Sequence, residues 1–147
     1  MNVHVAAVLL CGCVALCGCN DTFDESTAKP TPETIHRYIE KGWLPHGVPK
    51  TMSALKVSGD MDAERSVGAF SSDDVDAYLR TCHKETDGFA VESSLPKWFP
   101  KDVRDTSSSD ALRANGYATY TCEDDFAAVR KGTERTVWFW SDREDDD

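Results

Sequence analysis

The sequence lacks every short motif that would identify a reaction. It contains no HExxH, GxSxG, P-loop or GxGxxG pattern, and after residue 19 it has no CxxC pair of the kind that holds zinc. Serine, histidine and aspartate are frequent, but their order along a chain cannot show that three of them converge. We therefore expect a protein that is not an enzyme and has neither cofactor nor metal. A hydrolase stays an alternative that no motif supports.

Positive charge is also scarce. The chain has 16 Lys and Arg against 26 Asp and Glu, a formal net charge of −10, and its basic residues do not cluster. Nucleic acid and an anionic membrane surface would be repelled without a basic face, so neither is expected as a docking partner. A basic protein partner fits this charge, although acidity also serves plain solubility.

Long apolar runs are absent except at the N-terminus. An uncharged apolar run extends from Val3 to Cys19 and is followed at once by the polar stretch Asn20-Asp21-Thr22, with no Ala-x-Ala site before it. This pattern predicts an export segment that is removed. An uncleaved membrane anchor and an ordinary secretory signal are the alternatives.

The end of this run, Leu16-Cys17-Gly18-Cys19, resembles the lipobox of bacterial lipoproteins. The resemblance implies that a signal peptide of residues 1–18 is removed and that Cys19 takes a diacylglycerol thioether and becomes the mature N-terminus. It implies a lipid-anchored protein of the bacterial cell envelope that faces the periplasm, with the lipid bilayer as its partner. The outer membrane is preferred over the inner membrane.

Few cysteines remain after this processing. Cys82 and Cys122 are the two thiols left beside the lipidated Cys19. In an oxidising periplasm such a pair is expected to form a disulfide. The bond would stabilise the fold by about 3–4 kcal/mol on the chain-entropy model. A metal site of Cys82, His83 and Cys122 is the rival, and it is disfavoured because adjacent Cys and His rarely converge on one ion.

The segments after Cys19 divide into three parts. Residues 19–31 are predicted to be a lipidated polar tether, 32–140 a small domain, and 141–147 an acidic tail. Thr31 and Pro32 begin a helix that Gly42 ends. A second helix starts after Ser71 or Ser72, and its buried positions follow a helical period: Val75, Tyr78, Leu79 and Cys82.

The other patterned segments are typical of strands. The candidates are residues 54–58, 65–70, 88–92, 117–123, 126–130 and 134–140. Spacings between the last three suit an antiparallel meander, and the last strand is apolar on both faces. The predicted fold is therefore α+β: two short helices on an antiparallel sheet, with the C-terminal meander joined to the second helix by the disulfide.

One aromatic pair is a candidate binding site. Trp98 and Phe99 lie between Pro96 and Pro100 in a segment that is predicted to be an irregular loop, as is the serine-rich stretch 106–109. The pair is expected to be exposed, whereas the other aromatic residues are expected to fill the core. Carboxylates beside the pair would favour a site for a basic protein.

Four further motifs carry a second resemblance. Gly42-Trp43-Leu44-Pro45, Val48-Pro49-Lys50, Tyr120-Thr121-Cys122 and Val137-Trp138-Phe139-Trp140 look like a group of small uncharacterised proteobacterial lipoproteins. This resemblance covers most of residues 35–140 and implies no activity. We therefore expect a non-enzymatic accessory or structural role in the envelope. A periplasmic immunity or inhibitor-type module for a basic protein is the alternative.

Overall fold

The fold is built on one antiparallel sheet of seven strands. The computed structural model describes residues 22–60, 65–86, 95–106 and 108–141. Its strands are β1 (Thr22–Ala28), β2 (Ala54–Asp60), β3 (Arg65–Ser71), β4 (His83–Lys84), β5 (Tyr117–Cys122), β6 (Phe126–Lys131) and β7 (Thr136–Ser141). Its helices are α1 (Pro32–Glu40), α2 (Val75–Leu79), α3 (Lys101–Arg104) and α4 (Ser109–Ala114). The predicted α+β class and the C-terminal meander are confirmed.

Two meanders make up this sheet. The strand order is β1-β2-β3-β7-β6-β5-β4, so β1 to β3 form one meander and β5 to β7 the other. They join where β3 pairs with β7, with Phe70 opposite Val137. Because side chains alternate along each strand, this register puts matching apolar rows on both faces of the sheet.

The first face is covered by α1 and α2. Leu55, Phe70 and Val137 form one row across the sheet, and the rings of Phe70 and Tyr78 meet edge to face at 5.4 Å. Other buried members of this core are Ile35, Tyr38, Trp43, Leu44, Val57, Val75, Leu79, Phe126 and Phe139. Val137 and Phe139 of the last strand and Tyr78 of the second helix belong to this one core, which agrees with the predicted packing of one face of the strand on that helix.

The opposite face carries a second core under α3 and α4. Trp140 and Val129 belong to the sheet, and Phe99, Val103 and Leu112 cover them. All five side chains are at most 2% exposed. Because β6 and β7 are apolar on both faces, each face needs its own cover. The cover of the second face comes from α3 and α4, which lie in segments predicted to be irregular loops.

The ends of the helices follow their capping residues. The hydroxyl of Thr31 accepts a hydrogen bond from the backbone N–H of Thr34, and Pro32 holds the first position of α1, as predicted. Ser72 accepts from the backbone N–H of Asp74 and so starts the turn into α2. This helix ends at Leu79, which leaves Cys82 in the turn that follows and not on the helix.

One prediction about the chain after Cys19 is wrong. The segment 19–31 is predicted to be a tether without a fold, yet Thr22–Ala28 form β1 and pair residue by residue with β2. The polar composition of these residues does not indicate a strand, because the strand is stabilised mainly by its backbone hydrogen bonds to β2. Phe23 is the large apolar side chain that it places against the first core.

The sequence pattern does not predict α3 and α4, which lie in segments expected to be irregular loops. Ser108 caps α4 by accepting from the backbone N–H of Ala111, so part of the serine-rich stretch is a helix start. Pro100 precedes α3, which is a single turn. The candidate strand 88–92, the lipobox region and the tail 142–147 lie outside the described residues.

Candidate functional site

One end of the sheet brings together the start of β1 and the end of β7. Thr22 lies opposite Asp60, and Asp60 lies opposite Arg65. In the other meander, Ser141 lies opposite Phe126 at the same end. The backbone N–H of Ser66 donates to Ser141 Oγ at 3.1 Å, which joins the two meanders there. We call this the Thr22 end, and we call the opposite end, where β1 finishes, the Ala28 end.

Five of the described carboxylates lie at the Thr22 end. Asp24 and Asp60 lie on β1 and β2, and the exposed turn Glu123–Asp125 joins β5 to β6 at the same end. Arg65, the first residue of β3, lies there as well. The charged side chains described at this end are therefore mainly, but not solely, acidic.

A cleft of about 560 Å³ opens at the Thr22 end. Its walls combine the apolar side chains of Phe23, Val67 and Pro96 with the charged side chains of Asp24, Asp60 and Arg65, and the remaining lining residues are Thr22, Ser58, Gly59, Ser66 and Ser141. No histidine or cysteine is among these lining residues. The cleft has the mixed apolar and polar character of a binding site, without the groups that general acid–base catalysis most often uses.

His46 and Asp124 form a polar pair close to this end. The backbone N–H of His46 donates to Asp124 Oδ2 at 3.2 Å, and the ring Nδ1 is hydrogen-bonded to the same oxygen. Asp124 and Asp125 both have left-handed backbone conformations, with φ of 62° and 58°. Asp tolerates this region better than most residues, and the His46 contact holds the turn in it. The role of the pair is therefore structural, since it holds this turn in place.

The buried hydroxyl of Tyr78 lies in the electrostatic field of the same turn. Tyr78 is 3% exposed, and its hydroxyl has no hydrogen-bond partner among the described residues. Burial raises the pKa of Tyr78 above its ordinary value, and the charges of Glu123 and Asp124 raise it further. The side chain therefore stays neutral and serves the core.

The predicted cysteine pair lies beside this turn. The Sγ atoms of Cys82 and Cys122 are 2.11 Å apart and their Cα atoms 4.4 Å apart, within the range of a disulfide. The bond links the turn after α2 to the end of β5. With both sulfurs bonded to each other, neither is a ligand for metal, and His83 lies on β4.

The predicted aromatic site is not exposed as expected. Phe99 is 2% exposed and belongs to the second core, because the face around Trp138 and Trp140 needs a cover. Trp98 is half-buried, with its ring 6.2 Å from that of Trp138. The charged group over the Trp98 ring is the ammonium of Lys56, at 4.7 Å, and not a carboxylate. Phe99 is therefore unavailable to a partner, and Trp98 retains a part-exposed edge.

A second cleft, of about 440 Å³, lies at the Ala28 end. It holds the exposed cations Lys29, Lys50 and Arg135 between Pro30 and Met52. Arg135 is paired with Asp73 there. Both ends of the sheet thus carry charges of both signs, with Arg65 beside the carboxylates of the Thr22 end and three cations beside Asp73 at the Ala28 end.

The described ranges contain neither a cluster of metal ligands nor a helix that could span a membrane. Within them, no group of three or more His, Cys, Asp or Glu side chains could hold a metal ion. None of the helices described is long and apolar enough to cross a bilayer.

Sequence reasoning missed the His46–Asp124 pair, since 78 positions separate the two residues and no local pattern joins them. It also missed the Thr22 end, which arises from strand register alone. No family model, no curated protein and no solved structure matches the chain. The likeness to small proteobacterial lipoproteins therefore stays a prediction from the motifs.

Proposed function

We propose that the protein is a lipid-anchored lipoprotein of the bacterial cell envelope with a non-enzymatic accessory role in the periplasm. The observation that carries the proposal is Leu16-Cys17-Gly18-Cys19 followed, after two residues, by the first strand of the domain. An apolar segment that ends so close to a folded strand suits removal and lipidation at Cys19. The bonded geometry of Cys82 and Cys122 also suits an oxidising compartment.

Several features support a role without catalysis. Among the described residues, the lining of the 560 Å³ cleft has no histidine or cysteine, and the His46–Asp124 pair is occupied in holding a turn. A hydrolase would need a nucleophile, a base and an oxyanion donor that converge on one space. The described lining of the second cleft likewise has no histidine or cysteine to act as base or nucleophile.

The second candidate is a binding module for a basic protein, such as an immunity or inhibitor protein. Two carboxylates in the lining of the cleft, Asp24 and Asp60, and the acidic turn Glu123–Asp125 at the same end of the sheet favour it. Such a surface would attract a basic partner and speed the encounter. The partner would be recognised by its charge and by an apolar residue that enters the cleft.

The anchor is tested with Cys19→Ala in cells that express the full chain. We expect the wild-type protein in the membrane fraction with the mass of the acylated form that starts at Cys19. The variant should lose acylation. The fraction of it from which residues 1–18 are removed should leave the membrane fraction. A conservative Asn20→Ser change is the matched control and should keep the acyl mass. Membrane retention of Cys19→Ala with unchanged mobility would show an uncleaved anchor and would overturn the proposal.

The binding candidate is tested by cross-linking in detergent-solubilised envelope. We expect any basic partner to associate quickly at low salt and slowly at high salt, because charge steering acts within a Debye length of about 8–10 Å. Asp24→Asn combined with Asp60→Asn should weaken the association, whereas Glu33→Gln, on α1, should not. Recovery of only lipid and peptidoglycan-linked proteins, with no response to salt, would remove this candidate and leave the accessory role.

A further inference from the structure

The distance between Cys19 and the domain is very short. Asn20 and Asp21 are the two residues between Cys19 and the first residue of β1. An extended chain advances at most about 3.6 Å per residue, so the Cα atoms of Cys19 and Thr22 are within about 11 Å of each other. A chain of twelve residues, the length of the polar segment 20–31, would have allowed about 40 Å.

The contacts of β1 keep this distance short. β1 pairs with β2 over its full length, from Thr22 opposite Asp60 to Ala28 opposite Ala54. At one end the Phe23 ring stacks on Trp43 with centroids 3.8 Å apart. At the other end, beyond β1, the backbone N–H of Lys29 donates to the carbonyl of Ser53 at 3.3 Å. These contacts convert most of the polar segment into sheet, so it does not act as a spacer.

From these distances we propose that the Thr22 end is a membrane-apposed surface whose partner is the lipid headgroup layer that holds the Cys19 acyl chains. This inference rests on the lipidation proposed above. Acylation holds Cys19 at the level of the headgroups, and every orientation that the two-residue link permits keeps Thr22 near them. The Ala28 end is about 20 Å further along the strands, so it is on average the distal end.

Charge limits how closely this surface approaches the lipids. The carboxylates at the Thr22 end are repelled by anionic headgroups, but the repulsion is screened beyond about 8 Å at physiological salt. The greatest length of the link is similar to this screening distance. The end is therefore held near the headgroups without being drawn into them, which leaves the cleft at the Thr22 end facing the bilayer.

The orientation is tested with the full lipoprotein reconstituted in vesicles of phosphatidylethanolamine and phosphatidylglycerol. Thr22→Cys and Ala28→Cys are a matched pair, since both residues are exposed and lie at the two ends of β1. Each introduced thiol carries the same fluorophore, and a spin label on the lipid headgroup quenches it at short range. We expect at least threefold stronger quenching at position 22 than at position 28.

A length control makes this test specific. Insertion of ten Gly and Ser residues between Asp21 and Thr22 should reduce quenching at position 22 to the level seen at position 28. Equal quenching at both positions in the original chain, or no effect of the insertion, would overturn the inference. Intact mass is measured on the same samples. Loss of acylation would count against the proposed function, whereas acylated protein with equal quenching would count against the orientation alone.

Discussion

The ring of Phe23 lies flat against the ring of Trp43, with centroids 3.8 Å apart and an angle of 9° between their planes. This stack joins β1 to the segment that follows α1. Trp43 is itself 8% exposed and has the ammonium of Lys41 over its ring at 4.2 Å. Most other side chains of β1 are exposed, so the stack is the principal side-chain attachment of the strand to the first core.

Phe23→Ala should therefore loosen β1 before the rest of the sheet. The loss of a half-buried aromatic contact is expected to cost about 1–3 kcal/mol. Hydrogen exchange should show faster exchange of the β1 and β2 amides that form their shared ladder, with β5 to β7 little changed. Ser26→Ala, at an exposed position of the same strand, is the control. Uniform acceleration over the whole sheet would contradict a local attachment.

The pair Cys82 and Cys122 should be oxidised in protein produced in an oxidising compartment. Their separation is 40 residues, and closing such a loop stabilises a fold by about 4 kcal/mol on the chain-entropy model. Non-reducing peptide mapping should recover the two peptides linked. Cys82→Ala combined with Cys122→Ala should lower the free energy of unfolding by a similar amount. Two titratable thiols in the folded protein would disprove the bond.

The carboxyl group of Asp102 should make the free energy of unfolding depend on pH in the acid range. Burial acts to raise its pKa, but hydrogen bonds from Lys131 and from Tyr117, at 3.0 Å and 2.9 Å, outweigh burial and hold the pKa below its ordinary value. The unfolded chain then binds the proton more readily than the folded protein. The stabilisation is therefore present above about pH 4 and is lost as pH falls through the folded pKa.

The check is urea unfolding at pH 7 and at pH 3 for wild type and Asp102→Asn. Wild type should lose more of its free energy of unfolding between the two pH values than the variant does. Glu25→Gln, at an exposed position of β1, should behave like wild type. If Asp102→Asn has the same pH dependence as wild type, the carboxylate does not contribute as described.

Alanine substitutions at the adjacent residues Phe99 and Trp98 should lower the free energy of unfolding by different amounts. Phe99→Ala removes a ring that is 2% exposed and should cost about 3–5 kcal/mol. Trp98→Ala removes a half-buried ring and should cost about 1–2 kcal/mol. Thermal or urea unfolding measures both. Equal losses in the free energy of unfolding would contradict the difference in burial between the two rings.

Local signals and strand pairing explain which elements the sequence predicts. Thr31 and Pro32 mark the start of α1 by themselves, and the short spacings between β5, β6 and β7 agree with their antiparallel pairing, so both regions match the structure. β1 carries no such local signal, because a polar edge strand is stabilised by the β2 backbone. Its residues pair with partners that lie 26 to 38 positions away in the chain.

The functional surfaces were harder to predict for the same reason. The apolar pattern of β7 shows that both faces need a cover, but it does not show which segment provides the second one. The sequence therefore predicts an exposed Phe99, which the structure buries. The Thr22 end depends on the register of both meanders, and the His46–Asp124 contact joins residues 78 positions apart.

The outer edge of β1 has no neighbouring strand in the part of the chain described, and the lipid anchor proposed at Cys19 would restrict what could pair with it. Two copies that paired their β1 edges in antiparallel fashion would place Thr22 of one beside Ala28 of the other. With the strands upright on the bilayer, one Thr22 would then lie about 20 Å higher than the other, which is further than a two-residue link extends. The proposed attachment would thus disfavour this pairing of an open strand edge, although β1 itself carries neither a proline nor a bulge.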